Sequence, residues 1–393
     1  MQSVGHIVWI VPIPPSTSVR AVIVSGSVGG GHDAAAAELH RQLSQQGWQV
    51  KELDYLEFLP RPIPFVLRAG YVAAANHAPC VLRWIFQSIN RRRWFQRAID
   101  RMCATAEQRL ANELSSSDIA ISTYPLAAHS LGELRRRGIL DAIAISYLTD
   151  PAPHHYWVHP NIDHHIGAFA CTADIARTQF DTEVAITGPL VDMGFADSSS
   201  RKERENVRRE LGVAHDDRVV LISTGSLGLG DATDAVRATR ESGAVPVVMC
   251  GTNRRLVAKM KAAGAITLQW RNDIPALMSA ADVLIQNAGG VTTTEALVRG
   301  LPAISYRPIA GHGEANAQAL ADAGLVPYAR TQDELRRLLN NNTRRSELAH
   351  MCTPSRTATA DFLSQVFKRS FGRRTQMEDA DGRGDRASAL DDH

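Results

Sequence analysis

Cysteine is scarce in this 393-residue chain and poorly placed for cross-linking. The five residues, at positions 80, 103, 171, 250 and 352, are odd in number and form no C-x-x-C pair. A disulfide framework needs an even set and a zinc site needs closely spaced ligands, so free thiols in a reducing compartment are expected. Long apolar runs are missing too. The opening HIVWIVPIPP is cut short by prolines and has no basic segment before it, which fits neither a membrane span nor a secretory signal. A cytoplasmic location is expected, with membrane contact confined to the protein's surface. Metal-binding patterns are equally thin. HHYWVHPNIDHH holds five histidines, but Pro160 and its strand-like context prevent a helix from presenting a ligand pair. The D-x-D at Asp379-Ala380-Asp381 lies in the tail, so no metal ligand is assigned. A net charge of +2 gives no sign of a nucleic-acid partner.

What the chain does have is regular alternation. A hydrophobic content of 44% with 21% charge fits a soluble globular protein of two ordinary domains. Apolar β-rich runs alternate with helical patterns nearly throughout, the signature of parallel sheets covered by helices. Strands are expected near 21–25, 48–53, 118–122, 142–148, 164–169 and 184–187, then at RVVLIST, VPVVMCG, ITLQW, DVLIQNA and PAISY. The fold class is therefore α/β, with mainly parallel sheets in two similarly built domains. GPLVDMGFADSSSRKERE reads as the linker, which puts the first domain at 1–197 and the second at 198–350. A C-terminal helix within 351–372 can return to the first domain, and 373–393 has too little apolar surface to fold.

Two glycine loops follow strands and open helices. The first, SGSVGGGHDAAAAEL, starts at Ser25. Its glycines do not match G-x-G-x-x-G, although Asp54 stands where a dinucleotide site wants an acid, and no G-K-[ST] follows as in a P-loop. The second is LIQNAGGVTTTEALVRGLP. Gly289 and Gly290 precede Thr292, Thr293 and Thr294, so free backbone N–H groups and three hydroxyls meet at the positive end of a helix dipole. That arrangement suits a diphosphate, and Glu295, one turn in, can accept two hydrogen bonds from a ribose diol. A Thr-capped tight turn is the structural alternative.

These stretches also carry a family resemblance. NAGGVTTTEALVRGLPAISYRPIAGHGEANAQALADAG, SGSVGGGHDAAAAEL, YLTDPAPHHYWVH and ITGPLVDMGF resemble the MGDG synthase and processive diacylglycerol glucosyltransferase group, relatives of the peptidoglycan lipid-intermediate N-acetylglucosaminyltransferase. The similarity runs from about Val22 to Leu339. It implies a GT-B fold, two Rossmann-like domains facing across a cleft, with the acceptor on the first and the nucleotide sugar on the second. It also implies an inverting, metal-independent hexosyltransferase that uses a UDP-sugar as donor substrate and no separate cofactor. The implied acceptor is a lipid hydroxyl, diacylglycerol in the relatives. A polyprenyl-phosphate lipid or a specialised metabolite as acceptor, or a sugar-nucleotide epimerase of similar build, are the alternatives.

Carried over by resemblance, Gly289, Gly290, Thr292 and Thr293 hold the diphosphate and Glu295 the ribose. Ser226 and Gly228 approach the phosphates or the acceptor, and the backbone near Ile274 reads the uracil. Gly311-His312-Gly313-Glu314-Ala315-Asn316 stands where plant-type members have Gly-Gln-Glu-Ala-Gly-Asn. The donor hexose is thus assigned to His312, Glu314 and Asn316, but the change at His312-Gly313 withdraws support for galactose. Gly30, Gly31 and His159 fall on the acceptor side. His32, at a helix start whose dipole favours neutral imidazole, is the expected general base, with Asp150 the other candidate or its orienting partner. A cap or packing role is the alternative for His32. Finally, residues 61–101 carry eight arginines against Asp100 alone, interleaved with Trp84, Phe86, Trp94 and Phe95. Either 83–101 meets an anionic membrane surface or its aromatics are core; the lipid-glycosylating resemblance favours the membrane.

Overall fold

Strands buried on both faces read as continuous apolar runs, and Val219–Ser223 is buried from end to end. Two parallel sheets are built from such runs. The structure, a computed structural model, describes residues 18–196, 201–287, 290–341 and 358–370. Gly289, the HIVWIVPIPP segment, and the Asp379-Asp381 pair within the 373–393 tail lie outside the described residues.

The first half runs β1 (Arg20–Ser25), α1 (Gly30–Gln45), β2 (Gln49–Asp54), α2 (Ile63–His77), α3 (Pro79–Arg91), α4 (Arg93–Leu114), β3 (Ile119–Ser122), α5 (Pro125–Arg136), β4 (Ile143–Leu148), β5 (His164–Gly167), α6 (Ala170–Phe180) and β6 (Val184–Ile186). The second runs α7 (Arg201–Leu211), β7 (Val219–Ser223), α8 (Thr233–Glu241), β8 (Val245–Met249), α9 (Arg254–Ala262), β9 (Ile266–Leu268), α10 (Ile274–Ala280), β10 (Val283–Gln286), α11 (Val291–Arg299), β11 (Ala303–Tyr306), α12 (His312–Asp322), β12 (Tyr328–Ala329) and α13 (Gln332–Asn340). The expected α/β architecture is present. The edge strand β12 was not expected, because two residues are too few to show a period. The long insertion before β3 is three helices, and α2 among them has no buried residue.

The sheet orders are β2-β1-β3-β4-β5-β6 and β12-β11-β10-β7-β8-β9, parallel throughout. Each order reverses direction once, between β1 and β3 and between β7 and β10. In open parallel sheets, ligands bind beyond the carboxyl ends of the strands at that reversal. The loops there follow β1 and β10, and they are the two glycine loops.

Ile23, Ile121 and Ile145 of the first sheet pack with Leu39 and Leu43 of α1, and Ala360 and Leu363 join the same core. Those two residues belong to a helix over 358–370 that lies against the first half, where Thr359 Oγ1 is 3.1 Å from Thr187 Oγ1. In the second half the turn after β7 interlocks with the turn after β8. Thr252 N–H donates to Ser226 O at 3.1 Å, and Asn253 Nδ2 donates to Gly228 O at 2.9 Å. Gly228 has φ +60°, and a Cβ there would lie 2.3 Å from the Cys250 carbonyl oxygen. Glycine is thus required at 228 by the protein's own backbone, with no phosphate needed to explain it. Gly228→Ala is expected to destabilise the protein by at least about 1–3 kcal/mol, the scale of overpacking; urea unfolding followed by circular dichroism measures it.

Candidate active site

His32 lies in the first turn of α1, with Nδ1 2.8 Å from the Thr123 carbonyl oxygen and 3.1 Å from Thr149 Oγ1. A carbonyl oxygen only accepts, so Nδ1 carries a proton, and in the neutral tautomer this leaves the lone pair on Nε2. Thr123 Oγ1 donates back to the His32 carbonyl at 3.1 Å, and the imidazole rests between the rings of Tyr124 and Trp157. Asp54 is engaged within the first half. Its carboxylate accepts from Ser27 N, Leu56 N and Arg68, which closes the dinucleotide reading of the first loop.

Asp150 follows β4. Its Oδ2 accepts from Trp157 Nε1 at 2.9 Å, and its Oδ1 accepts from Asn316 Nδ2 of the second half at 2.9 Å. Burial by itself would push this carboxyl up, but the nearby His312, His32 and His154 and the Asn316 amide outweigh burial and hold it below the usual carboxylate range. Both oxygens already accept hydrogen bonds, an arrangement that suits a partner for a cation. Burial holds His154 down at about 4 against the pull of Asp150, and it lowers His312 in the same way.

The halves meet closely around this cluster. Gly30 N–H donates to Ser226 Oγ at 3.2 Å, and a Cβ on Gly31 would lie 3.3 Å from Val291 Cγ2. The first glycine loop therefore fits against the loops that open α8 and α11. At the start of α11, Thr293 Oγ1 is buried without a hydrogen-bond partner. Thr294 Oγ1 is 3.4 Å from the Gly290 carbonyl, and Thr292 and Glu295 are half-buried on the same turn. Ile274 opens α10, and Arg271, paired with Asp273 and Glu210, braces the loop before it. Trp270, 57% exposed, stands on that loop.

The residues assigned to the donor hexose already have partners from the first half. Arg83 of α3 grips Glu314 with two hydrogen bonds, of 2.9 and 2.5 Å, and so lowers its carboxyl below the usual range. Asn316 holds Asp150 and the Ala152 N–H. The His312 ring lies 4.9 Å from that of Phe86 and 5.9 Å from that of Tyr71, with Nδ1 buried and unpaired. Leu82 completes this contact by packing on Leu229, Ile309 and Ala310. His159 lies in the first half, the side expected for the acceptor. It is buried over Gly132 of α5, with Nε2 3.1 Å from Glu133 and its ring against His129, because this imidazole fills the gap left by a glycine. The sequence reading missed His154, Trp157, Tyr71 and Arg83. The signals were present, in the histidine-rich segment and the arginine-aromatic stretch, but they pointed to surface and membrane.

Two six-stranded parallel sheets facing across a cleft, each turning its glycine loop inward, define a GT-B protein. Solved structures share the architecture. MurG of Acinetobacter baumannii matches at TM-score 0.57 and 19% identity, covering 89% of this chain and 99% of that one. Arabidopsis thaliana UGT89C1 in complex with UDP matches at TM-score 0.56 and 14% identity, covering 89% and 100%. Within that class the chain is similar to the MGDG synthase and processive diacylglycerol glucosyltransferase group. The family profile described as monogalactosyldiacylglycerol (MGDG) synthase matches residues 32–188. The processive diacylglycerol beta-glucosyltransferase of Bacillus licheniformis is 23% identical over 374 residues, covering 89% of this chain and 96% of that protein. The chloroplastic monogalactosyldiacylglycerol synthase of Spinacia oleracea is 25% identical over 356 residues, covering 82% of this chain and 66% of that protein.

Burial, with Asp192 nearby, pushes the Glu295 carboxyl up to about 7. Between the ordinary glutamate value of about 4.5 and 7, the folded protein keeps a proton that the unfolded chain has released. Stability therefore falls as pH rises through that window, by at most roughly 3 kcal/mol. Glu295→Gln is expected to melt at a higher temperature than wild type at pH 8 and to match it near pH 4 in calorimetry.

Proposed function

We propose that the chain is an inverting glycosyltransferase that moves a hexose from a UDP-sugar to the hydroxyl of a lipid, diacylglycerol being the acceptor named for its relatives. The observation that carries the reading is His32, which keeps its Nε2 lone pair free where the first glycine loop meets the start of α11. In this reading the acceptor O–H gives its proton to Nε2 while its oxygen attacks the anomeric carbon from the face opposite the leaving group. The bond from that carbon to the diphosphate oxygen breaks, and UDP departs with the electron pair. The N–H groups and threonine hydroxyls at the start of α11 stabilise the charge on the diphosphate without a metal. Glu295, its carboxyl ionised, takes the ribose diol, and the backbone at Ile274 takes the uracil. Release of UDP that depends on added lipid distinguishes transfer from epimerisation.

The α2–α4 surface supports a lipid acceptor. Phe65 is 73% exposed and Trp94 57% exposed, and Trp84 is exposed beside the Arg92 guanidinium, 5.7 Å from its ring. Arg91, Arg92 and Arg93 are exposed on the same surface. Among the described residues no helix is long and apolar enough to cross a membrane. Apolar side chains ringed by arginine suit the headgroup layer of an anionic bilayer, so peripheral attachment there brings the cleft to its lipid.

His32→Ala is expected to lower transfer by roughly 10²–10⁴-fold, the contribution of a general base, with UDP affinity by calorimetry and melting temperature near wild type. Normal transfer by the variant would leave His32 a packing role between Tyr124 and Trp157. Replacing Arg91, Arg92 and Arg93 together with Gln is expected to reduce flotation with phosphatidylglycerol vesicles, and wild-type binding should weaken as salt rises.

A further inference from the structure

Asn316 is fully buried, and its side chain bridges two groups of the opposite half. Oδ1 accepts from the Ala152 N–H at 2.9 Å and Nδ2 donates to Asp150 Oδ1 at 2.9 Å. These partners fix the amide orientation, since a flip would set N–H against N–H and oxygen against carboxylate. Only one Nδ2 hydrogen remains for any sugar. The same Asp150 carboxylate takes the Trp157 indole N–H, and Trp157 packs beside the His32 ring. Thr149, the residue before Asp150, touches His32 Nδ1. An amide of the second half therefore completes the setting of a carboxylate that is joined to His32 through Trp157 and Thr149.

We propose that Asn316 is a positioning residue acting through Asp150: it holds the Asp150 carboxylate in register with His32 only while the two halves are closed on each other. The proposal rests on the transferase reading and deepens it. When His32 takes the acceptor's proton it becomes a cation in a cleft of low dielectric, and a fixed carboxylate nearby stabilises that cation. Opening the cleft removes Asn316 and leaves Asp150 with Trp157 alone, so base and donor become competent together. The titratable groups facing Asp150 are His32 and His154 of its own half, His312 of α12 and Tyr71 of α2. His32 faces Asp150, His154, His312 and the Tyr124 ring.

The test has two readouts. Ala152 lies between Pro151 and Pro153, so in hydrogen exchange of the peptide around it a single amide reports the bridge. That amide is expected to be protected in wild type and to exchange faster in Asn316→Ala, with sheet amides unchanged. Free exchange in wild type overturns the proposal whether or not the protein transfers sugar. In kinetics with mixed micelles of diacylglycerol, Asn316→Ala and the isosteric Asp150→Asn are each expected to lower kcat by about 10–100-fold, the scale of hydrogen bonds to a charged group. Both should move the acid limb of the pH profile to lower pH. The double variant should be no worse than Asp150→Asn, and binding of UDP-sugar relative to UDP should stay unchanged. Multiplying effects, a selective loss of UDP-sugar affinity in Asn316→Ala, or a loss in Asp150→Asn as deep as that of His32→Ala overturns it. A wild type that transfers no hexose from any UDP-sugar defeats the proposed activity, and the exchange measurement then decides the bridge alone.

Discussion

A carboxylate buried at a boundary needs donors, and Asp150 takes one from each half of the protein. Desolvation alone would raise its pKa, and His312, His32 and His154 with the Asn316 amide oppose that rise. This requirement organises what surrounds it. Trp157 is buried whole so that its indole N–H can reach inward, Asn316 crosses from α12, and three imidazoles gather around the charge. The closed arrangement of the two sheets and the ionised state of Asp150 are two aspects of one constraint.

The cluster lies at the ends of two rigid sheets, which is why it can carry unfavourable groups. Thr293 Oγ1 and His312 Nδ1 are buried without partners, and the Glu295 carboxyl is raised by its surroundings. An unsatisfied buried polar atom costs about 1–3 kcal/mol. These costs fall within one cleft, while continuous apolar packing on both faces of each sheet offsets them. A site that holds polar atoms ready for a ligand is less stable locally than the scaffold presenting it.

The helices between β2 and β3 join an exposed surface to the candidate site. Their outer side exposes aromatics and arginine, while Tyr71, Leu82, Arg83 and Phe86 reach the loop that opens α12. One short hairpin thus touches both the solvent-facing apolar patch and the segment carrying His312, Glu314 and Asn316.

Much of this was legible before folding. Alternating apolar runs and helical periods located the strands up to β11, because a strand between helices must be apolar along its length. Glycine-rich turns marked both loops at the strand ends, and His32 stood out as a titratable group at a helix start. Local patterns are set by neighbours a few residues apart, so one sequence can display them. The pairing of Asp150 with Asn316 joins residues 166 positions apart, and the grip of Arg83 on Glu314 spans 231. No period or motif encodes such a meeting. Only the packing of the two sheets decided that His159 would fill a gap over Gly132, that Gly228 would serve its own backbone, and that one charge would be shared across the cleft, because burial and closure belong to the whole chain.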